Sequence, residues 1–456
     1  MDIDIKKTNK EEDTEEKSNE WDMPVSRNIE HGTSISETTP NPSLPRRGRG
    51  EVFQDSRPKI REITVPVGFS KMLHYWQAAS RSALILLAGL LPIFFLPFTQ
   101  LPVATHKEML VFILILAAFT ALLGKILVEG KIRYPGHWLM AAIVILVLVW
   151  GASAIFSINP LASLIGSWST PDSLAAILLF SLLMIGVVMT FSRRDIILSL
   201  LVFLASLTIL GIFELLQLAK VFILPFSFAK NAIFNPIGSV NDLGVTLAFG
   251  LVIASGLMSS LDIPKIFKRL LGVVILVLLL NLLVIDFWAI WVGLALAMIF
   301  MISFLSIGLT SDVKDSQTSD VGTGLQLVYF QKAWLPSLVL LISLIFLFIP
   351  SPLSKFIQTP LEVSPNFKST LDIARENLSP SGGSAFGGKA LLGSGPNTFG
   401  SIYSLYKPAS INQTIFWATT FNAGASAMAT WAGTVGILGV LALLFLMAAF
   451  IYTGIT

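Results

Sequence analysis

The side chains best suited to chemistry lie in one polar stretch, residues 351–426, between two apolar runs. Arginine and lysine bind phosphate oxygens through charge-assisted hydrogen bonds, and aromatic faces can stack on sugar rings. Both kinds of side chain are present here: Arg375, Lys389, Lys407, Tyr403, Tyr406 and Trp417. The combination predicts a site for sugar and pyrophosphate groups. An aromatic belt at the membrane interface is the alternative interpretation.

A glycine-rich segment lies in the same stretch, with Gly393-Ser394-Gly395-Pro396 at its centre. Glycine adopts positive φ angles and lets a ligand approach the backbone closely. Gly393 and Gly395 are therefore candidate substrate-binding residues. The segment is not a nucleotide-binding P-loop, because the Lys-Ser/Thr ending and the preceding strand are both missing. A tight turn without a ligand is the alternative.

A short helix is predicted upstream of these glycines, from Ser369 to the residues before Pro380. Ser369 is a suitable N-cap, and Asp372 three residues later can complete a capping box. The spacing places Arg375 and Glu376 away from the apolar face of this helix. That face would comprise Leu371, Ala374 and Leu378.

The elements that must position this stretch are membrane helices. Hydrophobic residues make up 54% of the chain and charged residues 13%, and the mean hydropathy is +0.76. A soluble chain carries about 25% charged residues, and only a bilayer solvates so much apolar surface. The chain contains no cysteine, which excludes disulfides, a thiolate nucleophile and a cysteine-ligated metal.

Ten apolar runs are long enough to cross a bilayer as helices. The block 270–308 is too long for a single span, and Asp286 marks a polar turn that divides it into two. The sequence therefore predicts an all-α, polytopic transmembrane bundle of about ten spans. The spans lie at about 82–98, 109–127, 138–156, 173–191, 196–216, 243–261, 270–285, 287–308, 335–350 and 427–453.

Lysine and arginine concentrate in alternate loops, which the positive-inside rule places in the cytoplasm. Both ends of the chain would then be cytoplasmic. The predicted organisation is a disordered cytoplasmic tail at 1–65, a bundle of nine spans at 66–350, an extracytoplasmic loop at 351–426 and the tenth span at 427–456. Since no polar residues follow the last span, we expect that the natural chain continues beyond Thr456.

Few ionisable residues lie within the spans, which argues against a proton relay or a transport pathway. Glu214 is predicted near the outer end of its span. Asn281 is a clear intramembrane amide, and a hydrogen bond between helices is the ordinary role of such a residue.

Residues 391–399, LLGSGPNTF, resemble the glycine signature of the O-antigen ligase and polymerase family of membrane proteins. That family also has its large outer loop after the ninth span. Further similar segments follow the order expected for the family: Asn235-Pro236, Asn241-Asp242, 369–377, Tyr406-Lys407-Pro408 and 434–439. The resemblance covers about residues 80–456.

The resemblance implies a bacterial glycosyltransferase of polysaccharide biosynthesis, working at the outer leaflet of the plasma (inner) membrane. A glycan would pass from an undecaprenyl-pyrophosphate-type carrier to a lipid, glycan or protein acceptor of the cell envelope. No metal, nucleotide or other cofactor and no nucleic-acid partner is expected.

Arg375 would hold the leaving group, and Glu376 would act as base in place of a family histidine that residues 421–426 lack. Because the loop has no histidine, a catalytically silent glycan-binding or scaffold relative is one alternative. A lipid-linked glycan transporter is the other. The substrate-binding residues that the resemblance implies are Lys389, Gly393, Gly395, Tyr403, Tyr406, Lys407 and Trp417.

Overall fold

A computed structural model describes residues 67–99, 101–131, 138–166, 172–260, 264–315, 321–356, 365–379 and 388–455. Within these ranges the chain forms helices and turns and no strand. The predicted disordered tail at 1–65 lies outside them. The α-helices are α1 (Val67–Leu90), α2 (Val103–Glu129), α3 (Trp138–Ile155), α4 (Pro160–Ile165), α5 (Leu174–Thr190), α6 (Arg193–Leu218), α7 (Val240–Ser260), α8 (Lys265–Ile285), α9 (Trp288–Asp315), α10 (Val321–Phe348), α11 (Phe367–Leu378), α12 (Gly388–Leu392), α13 (Phe399–Tyr406), α14 (Ala427–Thr434) and α15 (Gly436–Ile455).

Among the described residues, seven helices are long and apolar enough to cross a membrane: α2, α3, α6, α7, α8, α9 and α15. Two further apolar helices are shorter, α5 and the Lys332–Phe348 part of α10. Large apolar side chains such as Phe112, Leu148 and Phe300 are exposed along the candidate spans, as expected for surfaces that face lipid. These features support the predicted all-helical, multi-pass membrane fold, and the number of ten spans stays a prediction.

The first predicted span, 82–98, was placed wrongly. α1 is one helix from Val67 to Leu90, and residues 91–99 are not helical. Leu91 precedes Pro92, and a residue before proline is disfavoured in the α conformation. Lys107 of α2 donates hydrogen bonds to the carbonyls of Leu91 and Pro92, just beyond the end of α1.

The predicted division of the 270–308 block is confirmed. α8 ends at Ile285, Asp286 adopts a left-handed conformation with φ of 46°, and α9 begins at Trp288. The Asp286 carboxylate accepts hydrogen bonds from Trp291 Nε1 at 2.9 Å and from the Ser351 main-chain N–H at 2.7 Å. One carboxylate thus fixes the α8–α9 turn and the exit from α10.

The largest buried core lies among α6, α7, α8, α9 and α10. Leu207, Leu278 and Trp291 are fully buried there. Gly250 of α7 lets these helices approach closely, because a Cβ at this position would lie 2.4 Å from Leu207 Cδ1.

A polar contact crosses this core between α6 and α8. Asn281 Nδ2 donates to the Gly211 carbonyl at 3.1 Å and to the Val277 carbonyl at 2.8 Å, which confirms the helix–helix hydrogen bond predicted for this amide. Glu214 lines a small cavity of about 20 Å³ together with Asn281.

Candidate functional site

The candidate site lies in a group of four short helices, α11 to α14, which has a small core of its own. Ile373 of α11 and Phe399, Ile402 and Tyr403 of α13 are fully buried against one another. Phe421 packs edge-on against the Tyr403 ring at a centroid distance of 5.4 Å. The described residues of the stretch 351–426 therefore include an ordered group of short helices, as the helix predicted upstream of the glycines anticipated in part.

The helix that carries Arg375 begins earlier than predicted. α11 starts at Phe367, and the side chain of Asn366 is the N-cap, accepting the Ser369 N–H at 2.7 Å. The prediction of Ser369 as the cap was wrong, because asparagine in an extended conformation three residues earlier fills that role.

The buried face of α11 also differs from the predicted one. Leu371 is 42% exposed, since it lies away from the core that α13 and α14 provide. The residues that turn inward combine polar and apolar types, a pattern that a hydrophobicity count does not detect: Thr370, Ile373, Ala374 and Asn377.

The inward face holds α11 against α14 through specific contacts. Asn377 Nδ2 donates to the Gly433 carbonyl at 2.9 Å, and Thr370 Oγ1 accepts the Ala425 N–H at 2.9 Å. A Cβ at Gly433 would lie 3.1 Å from the Ala374 Cβ, so the two helices are in close contact. Residues 370–377 are thereby fixed relative to the start of the last membrane helix.

Arg375 and Glu376 are both exposed on the outward side of this fixed helix. Arg375 lines an open groove together with the apolar side chains of Leu371, Leu378 and Ala432. Its guanidinium makes no hydrogen bond or ion pair with any residue in the described part of the chain. Glu376 follows on the next helix face and does not line this groove. The groove thus has apolar walls beside an exposed cation that has no partner among the described residues.

The glycine segment crosses the end of α14 at very short distance. Gly393 has φ of +68°, and a Cβ there would lie 2.2 Å from the Thr434 carbonyl oxygen. Gly436 has φ of +76°, and a Cβ there would lie 2.4 Å from the Leu391 carbonyl oxygen. The predicted tenth span is consequently broken between α14 and α15, where the two backbones meet.

The same segment is held on its other side by the end of α3 and by α4. Ser157 Oγ donates to the Ser394 carbonyl at 3.1 Å and Ser163 Oγ to the Pro396 carbonyl at 2.7 Å. Ser153 Oγ donates to the Leu392 carbonyl at 2.6 Å. Sequence analysis did not identify these serines, and they form no motif that signals a contact with a segment so distant in the chain. Gly393 and Gly395 are buried in this arrangement.

The predicted aromatic residues separate into a buried group and an exposed one. Tyr403 is 1% exposed, and its hydroxyl has no hydrogen-bond partner among the residues that the structure describes. Burial raises the pKa of this hydroxyl. Tyr406 packs at the edge of the same core, whereas Trp417 is 63% exposed.

The predicted cations do not gather at one point. Lys407 Nζ donates to the Trp417 carbonyl at 2.6 Å, so its charge serves an internal contact. Lys389 lies in α12. Arg375 is the predicted site residue that lines the groove. A search of the described residues finds no group of three histidine, aspartate or glutamate side chains arranged to hold a metal ion.

Comparisons of the chain with protein-family models, with curated proteins and with solved structures find no match. The resemblance to the O-antigen ligase and polymerase family rests on the motifs in the sequence, and it stays a prediction.

Proposed function

We propose that this protein is a membrane glycan transferase of the O-antigen ligase and polymerase type. It would move a glycan from an undecaprenyl-pyrophosphate-type carrier to a lipid, glycan or protein acceptor. The groove beside Arg375 is the observation that carries the proposal. The apolar walls of the groove suit the first part of an isoprenoid chain, and the exposed guanidinium of Arg375 suits the pyrophosphate.

The proposed chemistry places Arg375 on the leaving group. Negative charge grows on the pyrophosphate as the bond to the sugar breaks, and a fixed cation stabilises that charge. A guanidinium can hold two phosphate oxygens at once. Glu376 would accept the proton of the acceptor hydroxyl, with the acceptor approaching from the helix face beside the groove.

We further propose ten spans, with the α11–α14 group outside the plasma membrane. The contact between Ser157 and Ser394 supports this arrangement, because it brings the end of α3 to the same end of the bundle as the glycine segment. Four candidate spans and two shorter apolar helices, six in all, lie between these residues in the chain. An even number of crossings returns the chain to the same side.

A catalytically silent relative that binds glycan or acts as a scaffold is the second candidate. The internal contacts of the predicted binding residues favour this second candidate. Tyr403 and Gly393 are buried, and Lys407 donates a hydrogen bond to the Trp417 carbonyl. Arg375 and its groove would then recognise a lipid-linked glycan without transferring it.

Transfer from a fluorescent lipid-linked oligosaccharide by the purified protein distinguishes the two candidates. The transferase proposal predicts a glycosylated acceptor, and it predicts that Glu376→Gln slows transfer by about 100-fold. Asp372→Asn is the matched control, since Asp372 is an exposed carboxylate on the same helix. Absence of transfer by folded, full-length protein would contradict the transferase and leave the binding candidate.

A further inference from the structure

A large apolar pocket opens between α6, α7 and α8, at the end of the bundle where α6 and α8 begin. Its volume is about 450 Å³, and every residue that lines it is apolar. α6 contributes Ile197, Leu201 and Ala205, and α8 contributes Phe267, Leu270 and Val274. Phe267 and Leu270 are 50% and 55% exposed. The pocket is therefore accessible from the lipid-facing surface of the bundle.

Two arginines lie one helical turn before the α6 residues that line this pocket. Arg193 and Arg194 precede Ile197 by four and three residues, so one helical turn places them on the same face. Both are exposed. The neighbouring carboxylate, Asp195, already pairs with Arg81 at 3.2 Å. Within the described residues no carboxylate pairs with Arg193 or Arg194.

The cations of α8 divide by helix face. Lys268 follows Phe267 directly, about 100° further round the helix, and is not among the residues that line the pocket. Lys265 and Arg269 are each two residues from Phe267, which turns them to the opposite side of the helix at about 100° per residue. Arg193 and Arg194 thus lie one turn from the pocket lining, whereas Lys265 and Arg269, two cations at the same end of the bundle, lie on the far side of α8.

We propose that this pocket binds an anionic phospholipid, with an acyl chain against the apolar walls and the phosphate on Arg193 and Arg194. Basic side chains at the mouth of an interhelical pocket attract anionic head groups. The apolar pocket favours a lipid over a free anion, since a free anion gains nothing from the apolar walls. This site is separate from the Arg375 groove and does not rest on the proposed function.

Native mass spectrometry of the purified protein tests the proposal, with phosphatidylglycerol and phosphatidylcholine of identical acyl chains as probes. Phosphatidylglycerol should bind about tenfold more tightly. The double variant Arg193→Gln with Arg194→Gln should lose this preference. Lys265→Gln with Arg269→Gln removes the same charge from the same end of the bundle and should retain it.

A second variant tests the pocket without changing the cations. Ala205→Phe fills part of the apolar space from an exposed position, so it should weaken binding of both lipids. Equal binding of the two lipids by the parent protein would overturn the proposal. So would equal losses in the two double variants, or unchanged binding in folded Ala205→Phe.

Discussion

The main-chain N–H of Gly395 donates to the carbonyl of Thr434 at 2.7 Å, at the point where α14 ends and α15 has yet to begin. Thr434 and Gly395 thereby join the last membrane helix to the glycine segment. Gly393 and Gly436 make this crossing possible, since each has a positive φ and neither has room for a Cβ. The crossing holds the end of α14 in place, and α11, which carries Arg375, packs against α14.

Substitution of Gly393 by alanine should destabilise the protein by about 2–4 kcal/mol, because the new Cβ meets backbone atoms and the left-handed conformation becomes strained. The thermal unfolding midpoint in detergent measures this effect. Gly151→Ala is the control, since a Cβ at Gly151 meets nothing within 4 Å and its helix is regular. Equal midpoints for the two variants would show that the crossing is not tight.

Features that depend on one residue and its neighbours in the chain were predictable from the sequence. Asp286 interrupts a long apolar block, so the α8–α9 turn could be identified from the residue itself. The break at Gly436 could not, because a glycine in an apolar run is unremarkable until its partner Gly393 is known. The serines of α3 and α4 escaped notice for the same reason, since their partners lie far along the chain. Arg375 was identified as a helix-surface cation, but its groove depends on Ala432 of a different helix.

The buried hydroxyl of Tyr403 predicts a dependence of stability on alkaline pH. Its pKa is raised above the ordinary value of 10.0 by burial, so the folded state holds the phenolic proton more tightly than the unfolded state. The contribution of this hydroxyl to the free energy of unfolding is complete below pH 10. It falls as the pH rises through the higher pKa of the folded state. The Tyr403→Phe variant should lose less stability than the parent above pH 10, as measured by unfolding midpoints at several pH values. The same loss in both proteins would contradict this assignment.

The proposed orientation can be tested with single cysteines, because the chain has none of its own. Lys368 is exposed on α11 and Lys265 is exposed at the start of α8. A membrane-impermeant maleimide should label Lys368→Cys in intact spheroplasts, whereas Lys265→Cys should react only after the membrane is permeabilised. Labelling of both in detergent is the control for reactivity. The reverse pattern in spheroplasts would place the α11–α14 group in the cytoplasm.

Arg375 is the proposed cation that holds the pyrophosphate leaving group. Its exposed position means that Arg375→Ala should fold normally, which the unfolding midpoint checks. Lys368→Ala is the matched control, because it removes an exposed positive charge from the same helix without altering the groove. Arg375→Lys keeps the charge and loses the two-point hydrogen bonding of a guanidinium.

The most direct measurement is the rate of glycan transfer from a lipid-linked oligosaccharide by these three variants beside the parent. Loss of a fixed cation at the leaving group should slow transfer by about 100-fold or more in Arg375→Ala, with an intermediate rate for Arg375→Lys and the parent's rate for Lys368→Ala. Transfer by Arg375→Ala at the parent's rate would contradict the role of Arg375 at the pyrophosphate leaving group.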